Sequence, residues 1–502
     1  PQKMSFFLVL LLAATASALT FMPSNNGVVM WDTWLFKYKS TYYLNYLKRP
    51  YNVRTATPWD GVNGAISSDG VHFSDAGAMI TKDPAAVWLG SGSIVPKRKT
   101  SADEDDEFVM NFSQQFDCQP ASNETTCQSI FFATSKDLFS WSLVAPGGFP
   151  QQAVFKYNLK YYKVGGRWDC ISVLPAKEGY FGYWTATPLK HPNFTTKDGH
   201  GAGFGFSKDG LTWDALPTPG PDIEGEVGGV AIFNEKVYLL FDEGHLYSAL
   251  NPAGPFKAEP SNFVFLAGGS AVFPRFWGQV YTGSASEVLL THQQVPGHEP
   301  QFLVYLGLVK QVKLQKDNVL RAVWWPNNDV LKGQPLVLPV VPGLPTCPPF
   351  NGRQPCPDLT AGLWVEGTAS LVGYSGVWIR AINLSDVNPN PSDDTFGFAF
   401  RWSFENNTFQ IGTANAISAD LSNFTLIQSI DRAITWEQGN QVPWKLLFRN
   451  MQTNITAVEF YMDDVLVLPF ALPEPYLADG FLTPVGESNI TQVNQLTLSG
   501  GF

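Results

Sequence analysis

A nine-residue pattern recurs three times in this chain, and its spacing constrains the fold more than any other feature. The copies read AISSDGVHF, ATSKDLFSW and GFSKDGLTW, at residues 65–73, 133–141 and 205–213. Each copy is typical of a strand end, a turn that contains an aspartate, and an aromatic side chain that packs against a sheet. A repeat of about 70 residues exceeds common propeller repeats, but it can hold a four-stranded blade with long loops. Residues 19–340 hold roughly five such units, so the sequence predicts a five-bladed β-propeller.

Strand signals dominate the chain outside these repeats as well. Short segments rich in aromatic and β-branched residues are bounded by turn residues, for example at 34–38, 42–46, 108–112 and 237–241. No long segment shows the periodicity of an amphipathic helix. Hydrophobic residues make up 44% of the chain, which excludes disorder over most of its length. The predicted fold class is therefore all-β.

A proline-rich stretch divides the chain in two. Residues 341–357 read VPGLPTCPPFNGRQPCP, which is too rich in proline for the interior of a sheet, so we assign 341–358 to a linker. Beyond it, runs with alternating hydrophobicity, such as 396–402 and 457–462, predict a β-sandwich over residues 359–502.

The N-terminal residues predict export. An apolar run from Met4 ends in Ala16-Ser17-Ala18, which fits a cleavage site, so residues 1–18 are interpreted as a signal peptide. No second apolar run of ~18 residues follows, and we expect a secreted protein without a membrane span, located outside the cell or in the lumen of the secretory or vacuolar pathway. Eight N-glycosylation sequons predict N-linked glycans. They lie at Asn111, Asn123, Asn193, Asn383, Asn406, Asn423, Asn454 and Asn489.

Four of the five cysteines form two closely spaced pairs. Cys118 and Cys127 enclose eight residues, and so do Cys347 and Cys356. In an exported chain this pattern predicts two local disulfides and leaves Cys170 as a free thiol. Zinc binding is the competing interpretation, but the spacing is not that of a zinc site and no paired histidine accompanies it.

Charge and histidine content argue against several classes of function. The net charge is −11 and no run of Lys or Arg offsets it, so a nucleic-acid partner would be repelled. The acidic run at 103–107 lacks the ligand spacing of a calcium loop and is interpreted as a solvated loop. The six histidines are scattered without an H-E-x-x-H pattern, so no metal site is predicted.

Three acidic residues lie at the starts of predicted inner strands of the propeller: Asp32, Asp169 and Glu226. Inner strands surround the central channel, so acids at equivalent positions would meet there. Hydrolysis of a glycosidic bond needs one carboxyl group that protonates the leaving oxygen and another that attacks or activates water. From spacing alone an alternative stays open, in which Asp32 and Asp169 cap turns and Glu226 forms a solvated pair with Glu224.

Six segments of the chain, taken in order, resemble motifs of glycoside hydrolase family 32, which contains the invertases, inulinases and levanases. Residues 25–46 are similar to the family's W-M-N-D-P-N-G and the Tyr-rich strand that follows it. The other similar segments are 65–73 (A-x-S-x-D-L-x-x-W), 88–93 (W/F-S-G-S), 168–170 (R-D-P), 226–228 (E-C-P) and 457–464 (S-V-E-x-F). The resemblance covers most of the mature chain and implies a five-bladed propeller joined to a β-sandwich.

The resemblance also implies roles for individual residues. Asp32 falls on the family's nucleophile, Asp169 on the aspartate that stabilises the transition state, and Glu226 on the general acid. A carbohydrate such as sucrose or a fructan would be cleaved without any cofactor. Residues near the acids are expected to bind the sugar; they are Trp31, Trp34, Trp88, Ser91 and Trp168.

Departures from the family's motifs bear on the substrate. Leu47 stands where the family has a glutamine, Trp168 where it has the arginine of R-D-P, and Val227 where it has the cysteine of E-C-P. The loss of one neutral and one charged hydrogen-bonding group predicts that sucrose is a poor substrate.

Three functions stay open on this evidence. The first is a secreted β-fructofuranosidase-like hydrolase. The second is an arabinan- or other glycan-active glycosidase of the same propeller fold, in which Asp32 acts as a base and the anomeric configuration is inverted. A separation of about 5 Å between the two catalytic carboxyl groups would indicate retention of that configuration, and roughly 6.5–9.5 Å would indicate inversion. The third is a catalytically weak carbohydrate-binding or extracellular-matrix protein.

Overall fold

The described part of the chain folds mainly into β-strands. Its helical structure is limited to short 3₁₀ segments, and no helix there is long and apolar enough to cross a membrane. The computed structural model describes residues 21, 23, 28–50, 59–98, 106–116, 128–144, 155, 158, 160–163, 165–189, 199–220, 223–266, 271–277, 287–294, 304–336, 362–383, 396–415, 424–431, 436–437, 439–451, 455–472 and 476–496. The predicted all-β fold class is confirmed.

Five blades follow one another along the first two thirds of the chain. The first four are separate four-stranded sheets, and the fifth is one end of an 11-stranded sheet that continues into the C-terminal part of the chain. Blade 1 contains β1 (Val28–Tyr38), β2 (Thr41–Pro50), β3 (Gly61–Ser67) and β4 (Ser74–Thr81). Blade 2 contains β5 (Ala86–Pro96), β6 (Phe108–Phe116), β7 (Gln128–Ser135) and β8 (Ser142–Leu143). Blade 3 contains β9 (Trp168–Ala176), β10 (Gly179–Ala186), β11 (Gly201–Ser207) and β12 (Trp213–Leu216). Blade 4 contains β13 (Val227–Phe233), β14 (Lys236–Phe241), β15 (Leu246–Ala249) and β16 (Lys257–Ala258). Blade 5 contains β17 (Ala271–Trp277), β18 (Val288–Gln294), β19 (Tyr305–Leu306), β20 (Lys310–Leu314) and β21 (Leu320–Val323).

The five blades close into a ring. The inner strands are β1, β5, β9, β13 and β17, and each contacts the inner strand of the next blade, while β17 returns to contact β1. The junction between blades 5 and 1 is also bridged from upstream of blade 1, because Phe21 forms an isolated β-bridge with Leu306 on β19 and accepts a 3.1 Å bond from its N–H. The predicted five-bladed propeller is confirmed.

The recurring nine-residue pattern is the turn between the third and fourth strands of blades 1, 2 and 3. In each copy the aspartate accepts two backbone N–H bonds within its own turn; Asp137 Oδ1, for example, accepts them from Phe139 and Ser140 at 2.8 and 2.7 Å. The serine two residues earlier accepts further backbone N–H bonds. The pattern recurs because this side-chain chemistry closes the turn by itself.

A short segment after blade 5 packs back onto blade 1 and covers the junction between them. The side-chain amide of Asn327, in the 3₁₀ segment Pro326–Leu331, donates to the backbone oxygen of Asp69 at 2.8 Å. The Trp325 ring lies against Tyr42 and so close to Gly70 that a Cβ on that glycine would come within 2.4 Å of it. Gly70 also has a φ of 76°, so glycine is required at this position for two reasons.

A two-layer β-sandwich follows the propeller. One layer has the strand order β30-β29-β28-β23-β32-β22, the other the order β27-β26-β25-β24-β31, and apolar side chains from both fill the space between them. The strands are β22 (Lys332–Pro335), β23 (Gly362–Ser370), β24 (Tyr374–Asn383), β25 (Phe396–Ser403), β26 (Thr408–Asn415), β27 (Thr425–Asp431), β28 (Gln441–Met451), β29 (Ile455–Met462), β30 (Val465–Leu472), β31 (Tyr476–Gly486) and β32 (Ser488–Leu496). Because β22 pairs with β32, the chain enters the sandwich before the predicted linker begins.

A buried ion pair joins the two units. Lys310 on β20 donates to Glu459 on β29 at 2.7 Å, and both side chains are completely buried. The other oxygen of Glu459 accepts a 2.6 Å bond from the Tyr461 hydroxyl. Glu459 is part of the C-terminal segment that resembles the hydrolase family, and the structure gives it a role in holding the sandwich against blade 5.

We expect Glu459→Gln to destabilise the protein strongly. The substitution leaves the Lys310 ammonium buried without a counter-charge, which costs about 3–5 kcal/mol in comparable sites. The loss should appear as a lower denaturant midpoint. The control is Glu366→Gln, which breaks the half-buried pair with Lys332 and should cost no more than ~1 kcal/mol. Equal midpoints for the two variants would contradict this role for Glu459.

Several predictions fall on residues outside the described ranges. They are the signal peptide at 1–18, the linker at 341–358 and both cysteine pairs, and they stay predictions. Cys170 is a buried free thiol. Among the sequons, Asn406 and Asn489 are exposed, but a glycan at Asn111 is wrong for the folded protein. That side chain is buried and its amide donates to Ser93 and to the Ile171 carbonyl.

Candidate active site

Each inner strand carries a β-bulge in its pairing with the second strand of its blade. A bulge leaves one residue out of the ladder and re-aims its side chain, and bulges are common beside active sites. The register shifts lie at Trp31/Thr33, Gly90/Gly92, Tyr183/Thr185 opposite Cys170, Val227/Gly229 and Val272/Arg275. The charged side chains at or next to these bulges meet in one cluster.

Asp32 occupies the bulge of β1. Its φ of 39° lies in the left-handed region, which residues other than glycine rarely adopt and which persists mainly at functional sites. Ser91 hydrogen-bonds to the carboxylate, and Arg275 Nη2 lies 3.5 Å from Oδ1. Burial raises the pKa of Asp32 to about 6; Arg275 opposes this rise, and the charges of Glu226 and Asp169 add to it.

Arg167 connects the other two acids. Its Nη2 lies 2.9 Å from Asp169 Oδ2, and its Nη1 lies 2.5 Å from Glu226 Oε1. The remaining oxygen of Asp169 accepts a short bond from the Ser113 hydroxyl. Burial alone would raise the pKa of Glu226, but Arg167, with His200 and Arg275, outweighs it and the pKa is lowered. Glu226 is therefore held as a carboxylate in the free protein.

A second arginine lies behind Asp32. Arg275 Nη1 contacts Asp242 Oδ1 at 2.5 Å and donates to the carbonyl oxygen of Val227 at 2.8 Å. Both side chains of this pair are nearly completely buried. Sequence patterns did not predict Arg167, Arg275 or Asp242 as site residues. Arg167 could have been found, because it lies two residues before Asp169, just ahead of β9, and in an extended chain such residues point to the same side. Nothing local marks Arg275 or Asp242.

The structure brings together Asp32, Asp169 and Glu226 and places Ser91 against Asp32; the roles of these residues stay predictions. Trp31 is half-buried and stacks on Trp59, with ring centroids 5.9 Å apart, and the Arg49 guanidinium lies 4.8 Å from the Trp59 ring. The half-buried Trp88 ring lies over Gly90, close to Asp169. The Trp88 ring thus offers a flat apolar surface next to Asp169, which suits the face of a sugar ring. Sugar binding by Trp31 stays a prediction.

Two of the predicted sugar-binding residues are wrong. Trp34 and Trp168 are both completely buried in the blades. The Trp168 indole donates to the Phe155 carbonyl at 2.8 Å and packs against Tyr162 and Trp184. Neighbouring residues of a strand face opposite sides of the sheet, so Trp168 enters the core when Asp169 faces the cluster.

This placement also changes the prediction about sucrose. Arg167 lies one residue before Trp168 and contacts Asp169, so a charged donor is present beside that acid although position 168 is not an arginine. Leu47 is 2% exposed and belongs to the same apolar core as Trp34, so it is not part of the site floor. The two substitutions therefore give no physical reason for sucrose to be a poor substrate.

The chemistry available in the cluster is that of carboxylic acids. Four carboxyl groups and two guanidinium groups are in contact, which suits proton transfer and nucleophilic attack at a polar bond. In the part of the chain that the structure describes, no group of three or more His, Cys, Asp or Glu residues is arranged to hold a metal ion.

No protein-family profile matches this sequence, and no curated protein is similar to it in sequence. Solved structures do share its fold. A GH32 β-fructofuranosidase from Bombyx mori has 11% identity and a TM-score of 0.59, covering 93% of this chain and 91% of its own. A fructofuranosidase from Schwanniomyces occidentalis has 12% identity and a TM-score of 0.60, covering 96% and 97%. A sucrose-6-phosphate hydrolase from Lactobacillus gasseri has 10% identity and a TM-score of 0.59, covering 97% and 94%. The chain therefore has the propeller and sandwich fold of GH32 fructofuranosidases.

Proposed function

We propose that this protein is an exported glycoside hydrolase that cleaves fructofuranosides. The observation that carries this function is the convergence of Asp32, Asp169 and Glu226 on bulged inner strands, within a fold shared with fructofuranosidases. Structures of the neighbours include one with sucrose and one with fructosylnystose. Exposed sequons at Asn406 and Asn489 support passage through the secretory route.

The proposed reaction is a double displacement. The Asp32 carboxylate attacks the anomeric carbon while Glu226 gives a proton to the leaving oxygen, so that the glycosidic bond breaks and a fructosyl ester of Asp32 forms. Water, deprotonated by Glu226, then hydrolyses this ester and restores both groups. Asp169 and Arg167 lie beside them and would bind the sugar hydroxyls.

Charge in the cluster favours a neutral sugar over a phosphorylated one. Four carboxyl groups face only two guanidinium groups, and both arginines are already engaged with carboxylates. A phosphate placed here would add negative charge to a site that already has an excess of it. Sucrose and fructans fit this balance better than sucrose 6-phosphate does.

A panel of substrates tests the proposal. Reducing sugar released from sucrose, inulin, levan, arabinan and sucrose 6-phosphate should be measured with purified protein, beside an Asp32→Asn control. We expect release from at least one neutral fructoside. Release from arabinan alone would favour a different glycosidase of the same fold.

We expect kcat/KM to have its alkaline limb near pH 6. The active form needs ionised Asp32 and protonated Glu226, whereas in the free protein the pKa of Asp32 is raised to about 6 and the pKa of Glu226 is lowered. Activity should therefore peak below pH 6 and fall above it, approaching tenfold per pH unit, as the two acids lose the single proton that they share. The measurement is kcat/KM for the preferred fructoside between about pH 3 and 8. Activity that rises through pH 6 and stays high above it would contradict these ionisation states.

One observation favours a second function, a carbohydrate-binding protein with little or no catalysis. The ion pair with Arg167 keeps Glu226 ionised, whereas a general acid must carry a proton. In a hydrolase the entering substrate would have to draw Arg167 away from Glu226. Calorimetric titration with the same sugars separates the two functions, since binding without release of sugar would support the second.

A further inference from the structure

Arg275 connects three parts of the candidate site from the last blade. Its Nη2 faces Asp32 of blade 1, and its Nη1 reaches both Asp242 and the Val227 carbonyl of blade 4. Asp242 is bonded to the same segment through its backbone, because its N–H donates to the carbonyl oxygen of Glu226 at 2.9 Å. The peptide that carries Glu226 is thus fixed by Asp242 on one side and by Arg275 on the other.

The two aspartates compete for one guanidinium group. Asp242 lies 2.5 Å from Arg275, whereas Asp32 lies 3.5 Å away, beyond the usual range of a direct hydrogen bond. The electrostatic attraction of the Arg275 guanidinium is therefore stronger for Asp242 than for Asp32.

Other groups near Asp32 cannot replace Arg275. The carboxylates of Asp169 and Glu226 repel its charge, and Arg167 is engaged with both of them. Ser91 on β5 contributes a neutral hydrogen bond, and the Cys170 thiol on β9, whose pKa is raised by burial, contributes no charge.

We propose that Asp242 is a positioning residue which, by holding Arg275, limits the attraction between Arg275 and Asp32 and so sets the acidity range in which the candidate nucleophile is ionised. The inference rests on the proposed role of Asp32. It predicts opposite effects for two substitutions. Asp242→Asn releases Arg275 to Asp32, so Asp32 ionises at lower pH. Arg275→Gln removes the cation, so Asp32 ionises at higher pH.

The test compares the limb of kcat/KM near pH 6, which follows the ionisation of Asp32, in the wild type, Asp242→Asn, Arg275→Gln and Arg275→Lys. We expect the Asp242 variant to move the limb down and the Arg275→Gln variant to move it up, each by about one pH unit, with Arg275→Lys closer to the wild type. The control is Asp317→Asn, which breaks the ion pair with Arg321 in blade 5 and should leave the limb in place. Shifts in the same direction, or no shift in the Asp242 variant, would overturn the proposal.

A second readout does not depend on activity or on the stability of the Arg275 variants. Carbodiimides react with protonated carboxyl groups, so the pH dependence of labelling at Asp32, located by peptide mass mapping, reports its ionisation directly. The labelling midpoint should move down in Asp242→Asn even if the wild type hydrolyses no sugar, in which case the proposed function fails and this inference stands. If the labelling midpoint does not move in a folded Asp242→Asn variant, this inference is overturned and the proposed function is not affected.

Discussion

Asp32→Asn is expected to lower kcat/KM for every hydrolysed fructoside by ~10⁴-fold or more, as removal of a catalytic nucleophile or its base does in other hydrolases. Asparagine keeps the size of the side chain, but it carries no negative charge to attack the anomeric carbon. The fold should persist, because the carboxylate lies in the channel cluster and not in an apolar core. Initial rates and a thermal melt measure the two effects.

The matched control is Asp214→Asn, an exposed aspartate on β12 of blade 3, which should retain full activity. If the Asp32 variant hydrolyses sugar at the wild-type rate, Asp32 takes no part in the reaction. If it loses its fold as well as its activity, the residue is structural and the assignment is wrong.

Glu226→Gln is expected to lose about 10²–10⁴-fold in kcat/KM for a fructoside whose leaving group needs a proton, such as sucrose. The loss should be far smaller for a fructoside with an activated aryl leaving group, because such a group departs without protonation. Azide should partly restore turnover of the activated substrate. The ratio of the two losses distinguishes a missing acid from a misfolded site.

Glu224→Gln provides the control for this variant, since Glu224 lies two residues earlier and should be dispensable. An inactive Glu224 variant together with an active Glu226 variant would show that the acid is the other member of the pair. Equal losses on both kinds of substrate would remove Glu226 from proton transfer.

The fold was predictable from sequence because its signals are local. A turn such as that around Asp137 is closed by its own side chains, so three copies of one pattern indicated the blades before any contact was known. The candidate acids were predictable for a similar reason, since strand starts on a propeller converge on the channel.

The arginines and the wrong tryptophans illustrate what local patterns miss. Arg275 and Asp242 are 33 residues apart and belong to consecutive blades, so their pairing depends on how one blade packs against the next. Trp168 adjoins a channel-facing acid, and the alternation of the strand places it in the core. Trp34 lies two residues after Asp32, and it is buried because the bulge between Trp31 and Thr33 interrupts the alternation. The sequon at Asn111 failed likewise, because three residues of sequence carry no information about burial.

The way the ring closes also fixes when the site can come into existence. Asp32 belongs to the first blade to emerge during synthesis and Arg275 to the last, and the segment with Trp325 and Asn327 that secures their junction is made later still. During synthesis the chain emerges from its N-terminus at about 5–20 residues per second. Four blades therefore emerge before Arg275 does, so the arrangement that would cut a glycosidic bond is among the last features of the propeller to form.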